Sequence, residues 1–136
     1  MKKAVIYTDG ASSGNPGPAG IGAIIQINGH KTTISEYIGK TTNNVAEYTA
    51  LIKALHYARQ KKIRSVKIYT DSELLVKQIH GVYRVRNEGL IPLYKEVLDL
   101  LRSFDAFSII HVPRERNKEA DSLSKEAIKR ARNKKP

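Results

Sequence analysis

Apolar residues along the chain repeat with two periods. Ala4-Val5-Ile6-Tyr7 is a short apolar run that turns polar at Thr8-Asp9, the pattern of a short buried strand. Gly10 to Gly17 is turn-rich and contains Pro16. Ala19 to Asn28 and His30 to Gly39 flank Asn28-Gly29, the strongest short hairpin signal, so the first three strands are expected to form an antiparallel meander. The period then changes, with Ala46, Ala50, Leu51, Ala54, Leu55 and Ala58 at helical spacing between Val45 and Gln60. Val66 to Tyr69 reads as a strand ending at Thr70-Asp71, and Ser72 to His80 as a helix that Gly81 stops. Ile91 to Ser103 is a third helix-forming stretch, Phe107 to Val112 a strand, and Glu119 to about Arg132 a helix. This order predicts an α/β fold: a mixed five-stranded sheet, antiparallel first and parallel afterwards, with helices on both faces.

At 136 residues the chain fits one domain, residues 1–136, with a basic tail from Arg130 to Pro136 that is expected to fray. No cysteine is present, which excludes disulfides, thiolate zinc sites and thiol nucleophiles. The apolar run after Lys2-Lys3 is too short for a signal peptide, and no segment approaches the ~20 apolar residues of a membrane span. A soluble, unprocessed, cytoplasmic protein is expected. Lys and Arg number 24 against 13 Asp and Glu, a formal charge of +11. That imbalance points to a polyanionic partner without choosing among DNA, RNA and an anionic membrane.

Four acidic residues occupy unusual places. Asp9 and Asp71 each end an expected strand, and in open α/β sheets sites form beyond the carboxyl ends of strands. Glu47 heads the stripe of Leu51, Ala54 and Ala58, where a buried charge is costly unless compensated. Asp121 opens the last helix near the seam of its apolar side. Taken singly, Asp9 also reads as a turn residue, Asp71 as a helix cap and Asp121 as a complement to a helix dipole. Taken together, with no cysteine and few histidines, they favour a hard cation such as Mg²⁺ and metal-assisted phosphodiester hydrolysis.

Thr8-Asp9-Gly10-Ala11-Ser12-Ser13-Gly14-Asn15-Pro16-Gly17-Pro18-Ala19-Gly20, Thr41-Thr42-Asn43-Asn44-Val45-Ala46-Glu47, Tyr69-Thr70-Asp71-Ser72 and Arg116-Asn117-Lys118-Glu119-Ala120-Asp121 follow one another along the chain. These four segments resemble, in order, the motifs of type 1 ribonuclease H. The resemblance implies an endonuclease that cuts the RNA strand of RNA–DNA hybrids and leaves 5′-phosphate and 3′-hydroxyl ends. It also implies two Mg²⁺ ions (Mn²⁺ as the alternative), with Asp9 bridging both, Glu47 and Asp71 completing one site, and Asp121 the other. Asn15, Asn43 and Asn44 match family positions that read the 2′-hydroxyl, a task suited to amides because they donate and accept at once. Asn44 reads equally as the cap of the helix at Val45. Lys40 and Thr42 match positions that grip a DNA-strand phosphate in some members.

Two departures stand out. The basic protrusion of many bacterial members shrinks here to Gly81–Leu90, where Tyr83, Arg84 and Arg86 are a candidate reduced substitute. The family's loop histidine has no clear counterpart. His111 sits in the strand pattern before Pro113, leaving Arg114 or Arg116 to assist phosphate binding or product release. The chain is similar in this to the archaeal-type and plant-like branch, and no hybrid-binding domain or obligate protein partner is indicated, so a monomer is expected. The competing readings are a junction-resolvase-like nuclease of the same fold and a non-catalytic hybrid-binding module. The first does not carry the Gly-Asn-Pro-Gly and Thr-Asn-Asn segments, and the second is expected to lose at least one carboxylate.

Overall fold

The computed structural model describes residues 2–134. Ten elements follow in order: β1 (Lys3–Ser12), β2 (Gly17–Ile27), β3 (His30–Thr41), α1 (Asn43–Gln60), β4 (Ser65–Thr70), α2 (Glu73–Ile79), α3 (Ile91–Arg102), β5 (Ala106–His111), a 3₁₀ turn (Arg114–Arg116) and α4 (Lys118–Asn133). The strands lie in the order β3-β2-β1-β4-β5. β1–β2 and β2–β3 pair antiparallel, whereas β1–β4 and β4–β5 pair parallel. The mixed sheet expected from the sequence is therefore the observed one. At its first hairpin Asn28 and Gly29 both take positive φ, 51° and 78°, the type I′ combination whose twist matches the strands.

The two faces carry different helices. Ala4, Ile6, Ala23, Ile25, Val66, Ile68 and Ile109 form one core with Leu51 and Leu55 of α1 and Val97 and Leu101 of α3. α4 covers β1–β3 on the opposite face, and two glycines let it approach. A Cβ on Gly20 would stand 2.3 Å from the Ser124 carbonyl oxygen, and one on Gly22 2.2 Å from that of Ala120. The helix therefore rests on backbone, leaving no room for a side chain beneath it.

Four boundaries differ from the sequence expectation. β1 does not end at Asp9 but continues to Ser12, because β2 keeps pairing with it through Ser12↔Ala19. Only its parallel pairing with β4 stops, at Thr8↔Thr70. α1 starts at Asn43, and its cap is Thr42, whose Oγ1 accepts from the Val45 N–H at 3.2 Å; Asn44 is already helical. α2 is capped by Ser72, not Asp71: the Ser72 hydroxyl accepts from the Leu75 N–H. Fraying does not set in at Arg130. α4 holds to Asn133, with Arg130 donating to Ser35 and Arg132 to Ser13, while residues 135 and 136 lie outside the described residues.

Candidate active site

The site is built where β1 loses a neighbour. Beyond Thr8 no strand flanks β1 on the β4 side, so the Gly10 N–H on that edge needs a partner. Glu47 supplies it: its Oε1 accepts from Gly10 N at 2.5 Å. Gly10 faces α1, and a Cβ there would lie 2.3–2.4 Å from the backbone of Ala46 and Glu47. Glycine is what brings the first turn of α1 close enough for Glu47 to reach the strand. Asp9, next along β1, pairs with Gly22 and so points to the α4 face. The open end of β4 lets carboxylates from both faces meet.

Asp9, Glu47 and Asp71 each offer a carboxylate oxygen, and these oxygens lie within 4.8 Å of one another. Asp121 faces Asp9 across the same cleft from the α4 side, close enough for the two carboxyls to influence each other. Asp9 is thus the common neighbour of the other three carboxylates. All four line one cleft of about 240 Å³ with Asn43, Ser72, Arg114 and Lys125 among its other walls.

The electrostatics follow from this crowding. Burial pushes the Asp9 carboxyl far up, and the negative charges of Glu47 and Asp71 push it further. Glu47 is also raised, first by burial, although its bonds to Asp9, Gly10 and Ser72 pull the other way. Asp121 is different. Burial raises it, but the hydrogen bond from Lys125, the one from Asp9 and the charges of Lys125 and Arg114 together outweigh burial and leave it lowered. Without a cation the cluster therefore retains protons at Asp9 and Glu47, and Lys125, 3.0 Å from Asp121, supplies positive charge.

The other expected site residues divide. Asn15 and Asn43 meet: the Asn15 Oδ1 accepts from the Asn43 N–H at 3.0 Å, which ties the β1–β2 turn to the start of α1. Asn43 lines the cleft, and Asn44 lies exposed beside it. Lys40, near the end of β3, is exposed. Arg114 reaches toward Asp71, 3.9 Å away, with its side chain largely exposed. Arg116 does not join it. It lines a separate pocket on the α4 face with Tyr7, Gln26 and Asn117, because the 3₁₀ turn swings alternate residues apart. Tyr83, Arg84 and Arg86 are exposed between α2 and α3 and are not among the cleft residues; Tyr83 lies under the Lys77 ammonium, 5.0 Å away. His111 sits in β5, paired with Thr70, as the strand pattern predicted.

Sequence reasoning missed three residues. Lys125 was legible as the i+4 partner of Asp121. Ser72 was quoted within a motif, yet its cap bond to Leu75 and its place beside Glu47 in the cleft need the fold. Asn117 is buried and donates to the Thr8 carbonyl at 2.9 Å, anchoring the start of α4 to the strand that carries Asp9.

Comparison with known proteins places this geometry. Residues 7–127 match the family described as reverse transcriptase-like. A ribonuclease H of Maricaulis maris is 37% identical over 153 aligned positions that span the whole of both chains. The chain belongs to the ribonuclease H family. Its ribonuclease H fold also superposes on the N-terminal RNase H domain of Rv2228c from Mycobacterium tuberculosis, with a TM-score of 0.88 and 40% identity over 93% of this chain and 98% of that one. The crystal structure of LC11-RNase H1, a protein isolated from compost, in complex with an RNA/DNA hybrid gives a TM-score of 0.85 and 40% identity over 94% and 98% of the two chains. Against the full-length Mycobacterium tuberculosis protein, described as bifunctional, this chain spans 35% of the relative's length, about a third.

Proposed function

We propose that this ribonuclease H family member hydrolyses the RNA strand of RNA–DNA hybrids, leaving 5′-phosphate and 3′-hydroxyl ends. The observation that carries the reading is the position of Asp9, in reach of Glu47 and Asp71 on one side and of Asp121 on the other. The donor set is all carboxylate oxygen, which fits Mg²⁺ and, second, Mn²⁺. Two ions would be held with Asp9 shared, Glu47 and Asp71 completing one site and Asp121 the other. When bound, such ions supply Lewis-acid charge at the scissile phosphate and lower the pKa of attacking water.

The chain's own residues do the rest. Asp9 and Glu47 give up the protons that crowding imposes on them, and Gly10 fixes the direction of Glu47 through its N–H. Lys125 holds Asp121 in its ionised form. Arg114 is placed to meet a phosphate oxygen, the charge-assisted contact for which a guanidinium is suited. Asn15, Asn43 and Asn44 present amides beside the cleft as readers of the sugar, and Lys40 with Thr42 faces the other strand's phosphates. Tyr83, Arg84 and Arg86 serve at most as an outlying backbone contact, and Arg116 takes no part at the carboxylates. The protein acts as a monomer in this reading.

Cleavage of labelled RNA–DNA, RNA–RNA, DNA–DNA and four-way-junction substrates with Mg²⁺ or Mn²⁺ tests the proposal. Cutting confined to the RNA of the hybrid supports it. Preferential cutting of junctions points instead to a resolvase, and binding without cutting to a recognition module.

Two further outcomes are expected. Removing the charge of Lys40 flattens the slope of log affinity against log salt by about 0.9, one phosphate contact; an unchanged slope shows that Lys40 does not touch the backbone. Replacing Asn43 and Asn44 together by Ala lowers hybrid cleavage about ten- to hundredfold, because one or two amide contacts to the sugar are worth roughly 1–3 kcal/mol. The cap at Thr42 survives this change, so melting should stay near wild type. A single 2′-deoxy substitution near the cut then penalises wild type more than the double mutant. Equal penalties in both proteins would remove the amides from the discrimination.

A further inference from the structure

α4 carries a feature that the carboxylate chemistry does not use. Asp121, Lys125, Lys129 and Arg132 stand at i, i+4, i+8 and i+11 and form one row along the helix, about 16 Å from first to last at 1.5 Å per residue. The row begins in the carboxylate cleft, which Lys125 lines. It continues as one wall of a second, open trough of about 430 Å³, where Ala11 and Ser13 of the β1 end form the facing wall and Ile128 adds apolar surface. Lys125 lines both, so the cleft and the trough are continuous.

The cations in the trough are placed and available. Arg132 donates from Nη2 to Ser13 Oγ at 3.1 Å, which fixes the guanidinium and leaves most of its five N–H groups free. Lys129 is exposed and has no acidic partner among the ion pairs of the described residues. Neither acid of α4 outside the cleft pairs with the cations of the row: Glu119 pairs with Lys31 on β3, and Glu126 forms no ion pair with Lys125 or Lys129 among the described residues. Ser13 also opens the turn whose Asn15 holds Asn43 at the cleft. The trough therefore joins the site beside the β1–β2 turn, and neither Lys40 nor the segment between α2 and α3 lines it.

We propose that this trough binds the sugar–phosphate backbone of the strand being cut, at phosphates flanking the scissile one, with Lys129 and Arg132 as the gripping cations. The proposal rests on the hybrid-hydrolase reading and extends it: the acidic end of the row serves the reaction, and the basic end holds the same strand in register. A run of three cations leading out of a carboxylate cleft suits a polyanion that must enter that cleft against negative charge.

The test uses the full chain with Lys129→Gln and Arg132→Gln combined, and as control Arg59→Gln with Lys61→Gln, which removes the same charge from the far end of α1. Steady-state cleavage of a long RNA–DNA hybrid is measured across salt concentrations, with melting curves for each protein. The Lys129/Arg132 variant is expected to raise KM about tenfold, to hold kcat, and to flatten the slope of log KM against log salt by about 1–2, the share of one or two phosphates. The control is expected to keep the wild-type slope. Neutral methylphosphonates in the RNA strand beside the cut should then weaken wild type and leave the variant little changed. The inference is overturned if the variant keeps the wild-type slope, if the control shifts equally, or if only methylphosphonates in the DNA strand abolish the difference. Failure of wild type itself to cut the hybrid would defeat the underlying reading, a result separate from each of these.

Discussion

Asp9→Asn is expected to leave less than about a hundredth of wild-type cleavage, a barrier increase of roughly 3 kcal/mol or more, while hybrid binding largely survives. Asp9 alone touches the other carboxylates on both flanks, so its loss removes the shared position at which two ions could be held. Affinity for the hybrid draws on the +11 surface, which this change leaves intact. The same substitution has a second, independent readout. Burial and neighbouring charge raise the folded pKa of Asp9 and Glu47 above their ordinary values near 4. A carboxyl with a raised folded pKa contributes stability that is fully present below its unfolded pKa and is lost as pH rises through the folded value. The ion-free wild type should therefore lose stability as pH rises from about 4 through neutrality, and added Mg²⁺ should restore it, releasing protons. Asp9→Asn removes the strained carboxyl. At neutral pH without ions it should raise Tm by at least about 3 °C, the effect of roughly 1 kcal/mol in a domain of this size. Retained turnover above the stated level would end the bridging role. A lowered ion-free Tm would show that the cluster is not electrostatically frustrated.

Gly10→Ala is the second large effect. Its Cβ would stand 2.3–2.4 Å from carbonyl and amide atoms of Ala46 and Glu47. These are backbone atoms, so no rotamer change relieves the clash and the first turn of α1 must shift. Overpacking of this kind costs about 1–3 kcal/mol, and misplacing a catalytic group by about an ångström costs on the order of a hundredfold in rate. We expect a Tm lower by about 3–10 °C and a kcat lower by about two orders of magnitude even at saturating Mg²⁺. Gly22→Ala should act similarly from the opposite face by lifting α4 at Ala120, beside Asp121. Wild-type melting and turnover in Gly10→Ala would refute the close approach as the means of placing Glu47.

How much of this was legible beforehand depends on the kind of signal. The period-2 and period-3.6 stretches and the Asn28-Gly29 hairpin marked all the strands and α-helices, because each element buries one face and its apolar residues record it. The four carboxylates were legible for a related reason: each sits at the seam or end of an element where an unpaired charge is costly. Boundaries were less visible. Gly10-Ala11-Ser12 has no strand pattern, and β1 persists there only because β2 pairs with it. Thr42 rather than Asn44 caps α1, because the helix already begins at Asn43. Arg114 and Arg116 looked equivalent along the chain, yet a 3₁₀ turn separates them onto different sides. The Asp9–Glu47 contact joins residues from opposite faces of the sheet, which no local pattern encodes.

The site is tied together across long stretches of chain: Gly10 to Glu47 spans 37 residues, and Asn117 to Thr8 spans 109. Such closures are among the last to form, since a long loop must be ordered before the contact rewards it. Enzymatic competence is thus a report on the finished chain. In a refolding experiment tyrosine fluorescence and helical signal can recover while the nuclease remains silent, and activity should return only with the docking of α4. A partly folded molecule holding β1 to β5 without docked α4 brings together Asp9, Glu47 and Asp71 but not Asp121, and on the proposed reading it is expected not to cut nucleic acid.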